Sequence, residues 1–329
     1  MLRVFMPYRT APQAAAQTPG RWVAEQAWPP PRMKPYVYYL DAGRLSSRVG
    51  SRDHVAFAAK RIVGLTKPEW LSDPPGDQTA DDRKSLTFDS APLKADMEIL
   101  GYPIVRVKVS ADVPVATLVV RLTEVLPDGT SWLVSYALRN LTHRASHEHP
   151  APLTPGEFYD VAVPLFMVAH RFKSGSRIRV AVSESLWPLV WPSPAPATLT
   201  IALGASSLAL PVRSPEASEA RWTIPVIRNQ PAAAAAPFDV QGPDAEGRIT
   251  VRRADQTAEI TEGDPNSCVW RDARSRSWKN GETDCTVLTA FELTSTERAF
   301  QLKESLRATK GGALIFEREK VSTIERDLL

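Results

Sequence analysis

Little in this sequence of 329 residues points to an unusual environment or to a charged partner. It contains two cysteines, no apolar run near the ~18 residues needed to cross a bilayer, and a net charge of +3. Two cysteines cannot build a disulfide-rich scaffold, and so small a charge does not favour nucleic acid or an anionic membrane as a partner. We therefore expect neither nucleic acid nor a membrane to bind.

A secretion signal is also missing from the sequence. Residues 1–7 show no basic stretch followed by an apolar run, the pattern of such a signal. The sequence therefore predicts a cytoplasmic protein. Cys268 and Cys285 are compatible with two free thiols or with one hairpin-linking disulfide, which would need an oxidising compartment. Their spacing alone does not decide between the two.

Glycine is scarce relative to proline, with 16 glycines against 29 prolines. Because proline cannot donate a backbone hydrogen bond, this excess predicts short elements with rigid connections and excludes long helical bundles. Prolines are concentrated in residues 1–35 and 214–243. We interpret the first segment as an extended arm, with Trp22 and Trp28 in need of a surface, and the second as a linker between domains.

Between these segments, residues 36–213 contain short runs of alternating or β-branched residues, each closed by turn residues. In Phe158–Leu165, apolar residues alternate with polar or small ones, which predicts one face on a core and one on water. One helical patch is predicted, at His54–Leu65. The many short strands favour an antiparallel β-sandwich. The predicted strands are Tyr36–Leu40, Ser85–Asp89, Ile104–Ser110, Thr117–Val125, Trp132–Leu138, Phe158–Leu165, Arg177–Ser183, Leu199–Leu203 and Leu208–Val212.

Residues 244–329 are richer in charge, with both signs in nearly equal numbers, which is typical of a solvated surface. We expect this segment to form a small accessory antiparallel β region packed on the sandwich, so the fold class is all-β throughout. Gly311-Gly312 predicts a turn. The predicted strands are Arg248–Arg252, Thr286–Leu293, Ala299–Leu306 and Ala313–Glu319.

No motif for covalent catalysis or phosphate binding occurs in the sequence. It has no Gly-x-Ser-x-Gly, the turn that exposes the nucleophile of α/β-hydrolases, and no Gly-rich phosphate loop. The nearest match, Gly204–Leu208, lacks the second glycine and joins two predicted strands. Cys268 and Cys285 lie far from every histidine in the sequence. We predict no catalytic residue and no cofactor in this chain.

Two polar clusters allow a functional interpretation beside a structural one. His143, His147 and His149 have a spacing that could gather a metal ion, but the segment joins two predicted strands and ends in proline, which favours a solvated loop without metal. The three aspartates within residues 77–82 could serve acid–base chemistry. We favour their structural role, since short acidic side chains satisfy backbone donors in turns.

The least common local feature is the segment Trp187–Pro192, in which two tryptophans each precede a proline. Their indoles could line a ligand groove or pack over the edge of the sandwich. We favour packing and keep the ligand groove as the alternative.

A series of motifs, in order through residues 77–192, resembles the C-terminal domain of the X-Pro dipeptidyl-peptidase and cocaine-esterase-like (CocE/NonD) serine hydrolases. Residues 1–76 look like the exit from the catalytic domain of that family, and residues from 245 onward resemble, more weakly, an extension of some bacterial members. The motifs are Asp77-Gln78, Asp81-Asp82, Ser85–Phe88, Pro92-Leu93, Ile99–Pro103, Leu126–Gly129, Asn140–Arg144, Pro152–Gly156, His170–Phe172, Arg177–Arg179, Trp187-Pro188 and Trp191-Pro192.

In that family an α/β-hydrolase domain carries the catalytic serine, aspartate and histidine, and a jelly-roll sandwich of the galactose-binding-like type packs beside it. The resemblance therefore implies a non-catalytic domain of an X-Pro dipeptidyl-peptidase or of an acyl ester or amide hydrolase, which shapes one wall of the substrate cleft. The partner it implies is a catalytic domain that is missing or separately encoded, with residues 1–35 as the remnant of the junction. A homo-oligomer is a further expected assembly.

The residues we expect to face a cleft or ligand are Trp187, Trp191, His143 and Arg144. No catalytic residue of the family maps onto this sequence. The main alternative is a free-standing jelly-roll module that binds a ligand or carbohydrate, which would need an exposed aromatic platform at Trp187 or Trp191. A hydrolase with unrecognised machinery is the third hypothesis.

Overall fold

The computed structural model describes residues 2–7, 20–58, 62–65, 76–215, 239–280 and 283–329. These residues form strands with two short helical segments, α1 (Thr79–Asp82) and a 3-10 turn (Leu141–His143), which confirms the all-β prediction. The strands up to the linker are β1 (Leu2–Pro7), β2 (Gly20–Glu25), β3 (Met33–Asp41), β4 (Arg44–Ser46), β5 (His54–Ala58), β6 (Leu86–Asp89), β7 (Met97–Gly101), β8 (Ile104–Ala111), β9 (Thr117–Val125), β10 (Ser131–Asn140), β11 (Tyr159–Pro164), β12 (Val168–Phe172), β13 (Arg177–Ser183), β14 (Thr198–Ala202) and β15 (Ser207–Arg213).

Strands β3 to β15 form the sandwich. They are hydrogen-bonded in the order β10-β9-β13-β6-β4-β3-β15-β8-β14-β5, with β11 on β8, β7 on β15 and β12 on β7. Every pair is antiparallel except β4 with β6. One hydrophobic core takes side chains from both halves of this path, among them Phe88, Leu122 and Phe172, which are fully buried. The alternation predicted for Phe158–Leu165 is confirmed, since Val161 and Val163 are buried and their neighbours in β11 are not.

Strand β9 is buried along its whole length although it carries charged residues. Arg121 Nη1 lies 3.0 Å from Asp82 Oδ1, and Glu124 Oε2 lies 2.9 Å from His170 Nε2. Buried charges are tolerated when they are paired and hydrogen-bonded, as these are. Asp82 therefore holds the buried strand β9 in place, and Asp77 accepts hydrogen bonds from the backbone of Thr79 and Ser131. The structural interpretation of this acidic cluster agrees with the contacts seen.

One prediction for the N-terminal part of the chain is wrong. The predicted helix at His54–Leu65 begins as strand β5, which pairs with β14 from His54 to Ala58, and residues 59–61 lie outside the described part. Hydrogen-bonded pairing with β14 outweighs the weak local helix propensity of this segment. The predicted arm, residues 1–35, also contains a hairpin, since β1 pairs with β2 from Leu2↔Glu25 to Pro7↔Gly20.

The C-terminal region is a seven-stranded antiparallel sheet, larger than the small region expected from its sequence. Gly311 and Gly312 both have positive φ at the tip of its last hairpin, which confirms the predicted turn. Within the predicted linker 214–243, residues 216–238 lie outside the described part and the first strand of this sheet begins at Asp239. The strands are β16 (Asp239–Gln241), β17 (Arg248–Arg253), β18 (Gln256–Thr261), β19 (Asp264–Asn280), β20 (Thr283–Ser295), β21 (Ala299–Lys310) and β22 (Ala313–Glu325).

The loop Trp187–Pro192 joins this sheet to the sandwich. Trp187 is fully buried in a second hydrophobic cluster with side chains of β17 to β19, including Ile249 and Cys268. Trp191 donates from Nε1 to Ser295 Oγ at 2.9 Å and stacks edge-on against Phe300 at 5.8 Å. The tryptophans therefore pack, which is the interpretation that the sequence favoured.

A second contact reinforces this interface between the sandwich and the C-terminal sheet, which we call the joint. The loop after β10 reaches the C-terminal residues, where Asn140 Nδ2 and Thr142 Oγ1 donate to Leu328 O at 2.7 and 3.0 Å. The buried Arg326 donates from Nη2 to Pro192 O at 2.6 Å and lies over the Phe300 ring. Backbone carbonyls thus satisfy a buried guanidinium at the joint.

A buried ionic network fastens the hairpin β1–β2 to the sandwich. Arg213, fully buried in β15, donates to Glu25 Oε1 of β2 at 2.6 Å and to Glu98 Oε2 of β7 at 2.8 Å. Arg32 binds the same Glu25, and Arg21 binds Glu98 through both carboxylate oxygens. Burial would raise the pKa of Glu25, but the hydrogen bonds from Arg32 and Arg213 outweigh it and hold the pKa below its usual value.

The network predicts a large loss of stability when its centre is removed. Arg213→Met leaves two buried carboxylates short of a partner and should lower the free energy of unfolding by about 3–5 kcal/mol. Arg271→Met, which breaks exposed pairs with Glu259 and Glu292, should cost less than about 1 kcal/mol. Urea unfolding measures both values. Equal effects of the two substitutions would show that the network does not fasten the hairpin.

Glu184 makes the stability of the sandwich depend on pH. It lies directly after β13 and is buried, and this burial raises the pKa of its carboxyl to about 8, opposed by a hydrogen bond from the Ala197 backbone and supported by the charge of Asp112. At pH values between the unfolded and the folded pKa, the Glu184 carboxyl is thus protonated in the folded state and ionised in the unfolded chain. A raised pKa of an acid gives stability that is complete at low pH and falls as the pH rises toward 8.

We predict that Glu184→Gln equals the wild type in stability near pH 4 and exceeds it by about 2–4 kcal/mol near pH 8, because the amide cannot ionise. Urea unfolding at both pH values measures this, with the exposed Glu148→Gln as the control that should not change the pH profile. A pH profile of Glu184→Gln parallel to the wild type would contradict the prediction.

Candidate interaction surface

Large apolar side chains are exposed together at one end of the sandwich. Phe166 is 61% exposed, Tyr102 53% and Met167 45%. Phe166 and Met167 form the loop between β11 and β12, and Tyr102 lies in the turn between β7 and β8. Single exposed apolar residues are ordinary, whereas contiguous groups of this kind are typical of interaction surfaces.

Backbone hydrogen bonds hold the two loops together. Leu165 N donates to Pro103 O at 2.8 Å, and Phe166 N donates to Tyr136 O of β10 at 3.1 Å. Ser135 Oγ in turn donates to Phe166 O at 2.7 Å. The amide and the carbonyl of Phe166 are thus both bound to β10, and its ring projects from the surface and contacts Tyr136 edge-on at 5.0 Å.

Trp28 extends this group of side chains from the neighbouring segment. It is 44% exposed, and its Cη2 would lie 3.5 Å from a Cβ added at Gly101. Gly101 has a φ of +128°, a backbone conformation that favours glycine and that turns the chain toward Tyr102. We call Trp28, Tyr102, Tyr136, Phe166 and Met167 the aromatic patch. The surface that Trp28 needed, according to its sequence, is thus the β7–β8 end of the sandwich.

A cleft of about 960 Å³ lies beside the hairpin, next to the ionic network. Tyr36 and Tyr38, with ring centroids 4.8 Å apart, form part of one wall, and Arg171, Arg21 and Arg213 contribute charge. Each of these arginines is already bound to a carboxylate, Asp96 or Glu98. Burial raises the pKa of Tyr38 to about 12, so its hydroxyl is neutral at physiological pH. The polar groups of the cleft serve mainly to bind each other.

Of the four residues predicted to face a ligand, Trp187 and Trp191 lie at the joint with the C-terminal sheet, and His143 and Arg144 lie in the turn after β10. Trp187 is fully buried and Trp191 half-buried, so neither offers an open aromatic platform. His143 is half-buried, with Nδ1 3.3 Å from His147 Nδ1. Arg144 lies over the Tyr159 ring at 4.2 Å and donates to Ala151 O. The structure brings these residues near structural contacts and not into the aromatic patch.

Sequence reasoning missed Phe166 and Met167. The available signal was the apolar run Leu165-Phe166-Met167 directly after Pro164, at a place where the strand pattern ends and a polar turn is expected. An apolar loop between two strands predicts either a buried loop or a binding surface. Tyr102 lies in the family motif Ile99–Pro103, and the sequence predicted no functional role for it.

The nearest match to a nucleophile turn proves structural. Ser206 is buried, donates from Oγ to Ala202 O and accepts from Lys108 N, so its hydroxyl is engaged by the sheet. Cys268 and Cys285 are free thiols, and burial raises the pKa of Cys268 well above that of a reactive thiolate. His170 is bound to Glu124 within the core.

Among the residues that the structure describes, no three His, Cys, Asp or Glu side chains are placed to hold a metal ion. Within the same residues, no helix is long and apolar enough to cross a membrane.

Comparison with known proteins gives relatives among serine esterases. Putative serine esterases of Mycobacterium bovis and Mycobacterium tuberculosis are each 28% identical over 193 residues, which cover 50% of this chain and 30% of theirs. Cocaine esterase of a Rhodococcus species is 28% identical over 103 residues, or 31% of this chain and 18% of its own. The chain thus spans less than a third of the length of these relatives.

Solved structures share the fold. An aminopeptidase from a marine sediment archaeon of the Thaumarchaeota superposes with a TM-score of 0.53 at 21% identity, over 59% of this chain and 38% of that one. An alpha-amino acid ester hydrolase superposes with a TM-score of 0.51 at 26% identity, over 59% and 39%. In both, the shared part is a minority of the longer protein.

The family match covers the sandwich and its flanks. Residues 7–228 match the X-Pro dipeptidyl-peptidase C-terminal non-catalytic domain. That span includes the hairpin strand β2, the ionic network and the aromatic patch. The resemblance seen in the sequence motifs is confirmed, and the chain belongs to the family of X-Pro dipeptidyl-peptidase C-terminal non-catalytic domains.

Proposed function

We propose that this chain packs against the α/β-hydrolase catalytic domain of a CocE/NonD-type serine hydrolase through the aromatic patch and shapes one wall of its substrate cleft. The observation that carries the proposal is a contiguous exposed apolar surface on a domain whose family is non-catalytic. A surface of this kind gains free energy when a partner covers it. The chain supplies position and shape, while the partner supplies the nucleophile.

The lengths of the relatives support a catalytic domain as the partner. The two mycobacterial relatives are described as putative serine esterases, and this chain matches 30% of each. The remaining length is ample for a hydrolase domain. We propose that such a domain accompanies this chain, either in a longer polypeptide or as a separately encoded subunit, in the cytoplasm and as part of a homo-oligomer.

The elements around the patch suit a bracing role. The hairpin β1–β2 contacts β12, the strand that follows Phe166 and Met167, and the Arg213 network fixes that hairpin through buried carboxylates. Rigid support lowers the entropy lost when the patch is covered. The bond cleaved, ester or X-Pro peptide, is then set by the catalytic domain, and His143 and Arg144 are our candidates for residues that line its cleft.

Charge placed on the patch tests the proposal. Phe166→Asp with Met167→Asp should weaken association with the catalytic domain by about 30-fold or more, as for the loss of central apolar anchors. In an undivided polypeptide, the same change should lower the thermal midpoint of the catalytic domain. The isolated chain should unfold at the wild-type urea concentration, because both side chains are exposed in it.

The matched control is Val49→Asp, which charges an exposed apolar residue outside the patch and should leave association unchanged. If both variants associate as tightly as the wild type, the aromatic patch is not the docking surface. Calorimetric titration, or differential scanning of the undivided protein, distinguishes these results.

A further inference from the structure

Strand β22 leaves one edge of the C-terminal sheet open. Among the described residues it pairs with β21 alone, and nearly all of its thirteen residues are exposed. Val321 is 68% exposed and Ile324 50%. A long open edge with apolar side chains is the typical site of edge-to-edge pairing between copies of a protein.

The charges of β22 alternate in sign from Glu317 to Lys320, and Glu325 keeps the same parity. All acidic residues, Glu317, Glu319 and Glu325, have odd numbers, and both cations, Arg318 and Lys320, have even numbers. Because successive side chains of a strand point to opposite faces, one face of this edge is acidic and the other is basic.

The symmetry of a dimer determines which residues meet. A second copy can add to this edge in the antiparallel sense through a two-fold axis perpendicular to the sheet. Opposed residues of antiparallel strands share a face, and this axis keeps each face on its own side. An odd-numbered residue therefore meets an odd-numbered residue, and an even-numbered one meets an even-numbered one.

From this geometry we infer that the β22 edge is built to exclude pairing with the β22 edge of a second copy of the chain. In the register that places Arg318 opposite Arg318 of the second copy, Glu317 lies opposite Glu319. In the register that places Glu319 opposite Glu319 of the second copy, Arg318 lies opposite Lys320. No two-fold register places opposite charges together. In-register parallel pairing of two copies is excluded in the same way, since each charged residue would then lie beside the identical residue of the other copy.

On its other edge, β22 pairs with β21, and there opposite charges lie opposite each other. Strand β21 places Arg307 opposite Glu317 and Glu304 opposite Lys320, so β22 accepts a neighbour with the complementary alternation. The outer edge fits a strand of a different sequence that places a basic side chain opposite each glutamate. It repels β22 of a second copy. A homo-oligomer of this chain must then form through contacts other than β22 with β22, and this inference is independent of the proposed docking of a hydrolase domain.

Glu319→Lys tests the inference. Position 319 lies opposite Ser305, so the change breaks no ion pair between β21 and β22. In the register with Arg318 at the axis, the introduced ammonium group meets Glu317 of the other copy, and symmetry repeats this contact. The self-association constant should therefore rise at least about tenfold over the wild type. Analytical ultracentrifugation at low ionic strength measures this constant, and salt should weaken the new association.

Glu319→Gln is the matched control, since it removes a like-charge contact without creating an attraction, and its association should rise much less. Urea unfolding verifies that all three proteins are folded. Equal self-association of wild type and Glu319→Lys would overturn the inference. So would concentration-dependent protection of β22 amides from hydrogen exchange in the wild type.

Discussion

The buried guanidinium of Arg213 is the contact on which the geometry of the functional surface depends. It lies in the last strand of the sandwich and binds carboxylates from the N-terminal hairpin and from β7, the strand that leads to Tyr102. Three segments distant in sequence are therefore held by one side chain. An apolar residue in its place would leave Glu25 and Glu98 buried with fewer partners, so the position requires a group that is both long and charged.

The two β regions are joined by a different kind of contact. At the Trp187–Pro192 loop, an indole fills the gap between sandwich and sheet, and the buried Arg326 is satisfied by backbone carbonyls. The joint is thus mostly apolar, whereas the hairpin is held by ions.

Sequence periodicity predicted most of the sandwich because its strands alternate or are β-branched, as in Arg177–Ser183. It failed where tertiary contacts decide, at His54–Ala58, which becomes a strand through β14, and at the hairpin β1–β2, whose pairing depends on charges distant in sequence. Strand β19 was missed because its seventeen residues are largely exposed and polar. The motifs predicted the family, but Phe166 and Met167 emerge as a surface only when Tyr102 and Tyr136 are placed beside them.

We propose that this chain contributes shape and support to a hydrolase and carries out no catalysis of its own. The most direct measurement is the rate at which the purified chain hydrolyses p-nitrophenyl esters and X-Pro-nitroanilides, compared with the uncatalysed rate in the same buffer. We predict that the two rates are equal. Saturable turnover by the chain alone, removed by a single substitution of a serine, cysteine or histidine, would contradict the account.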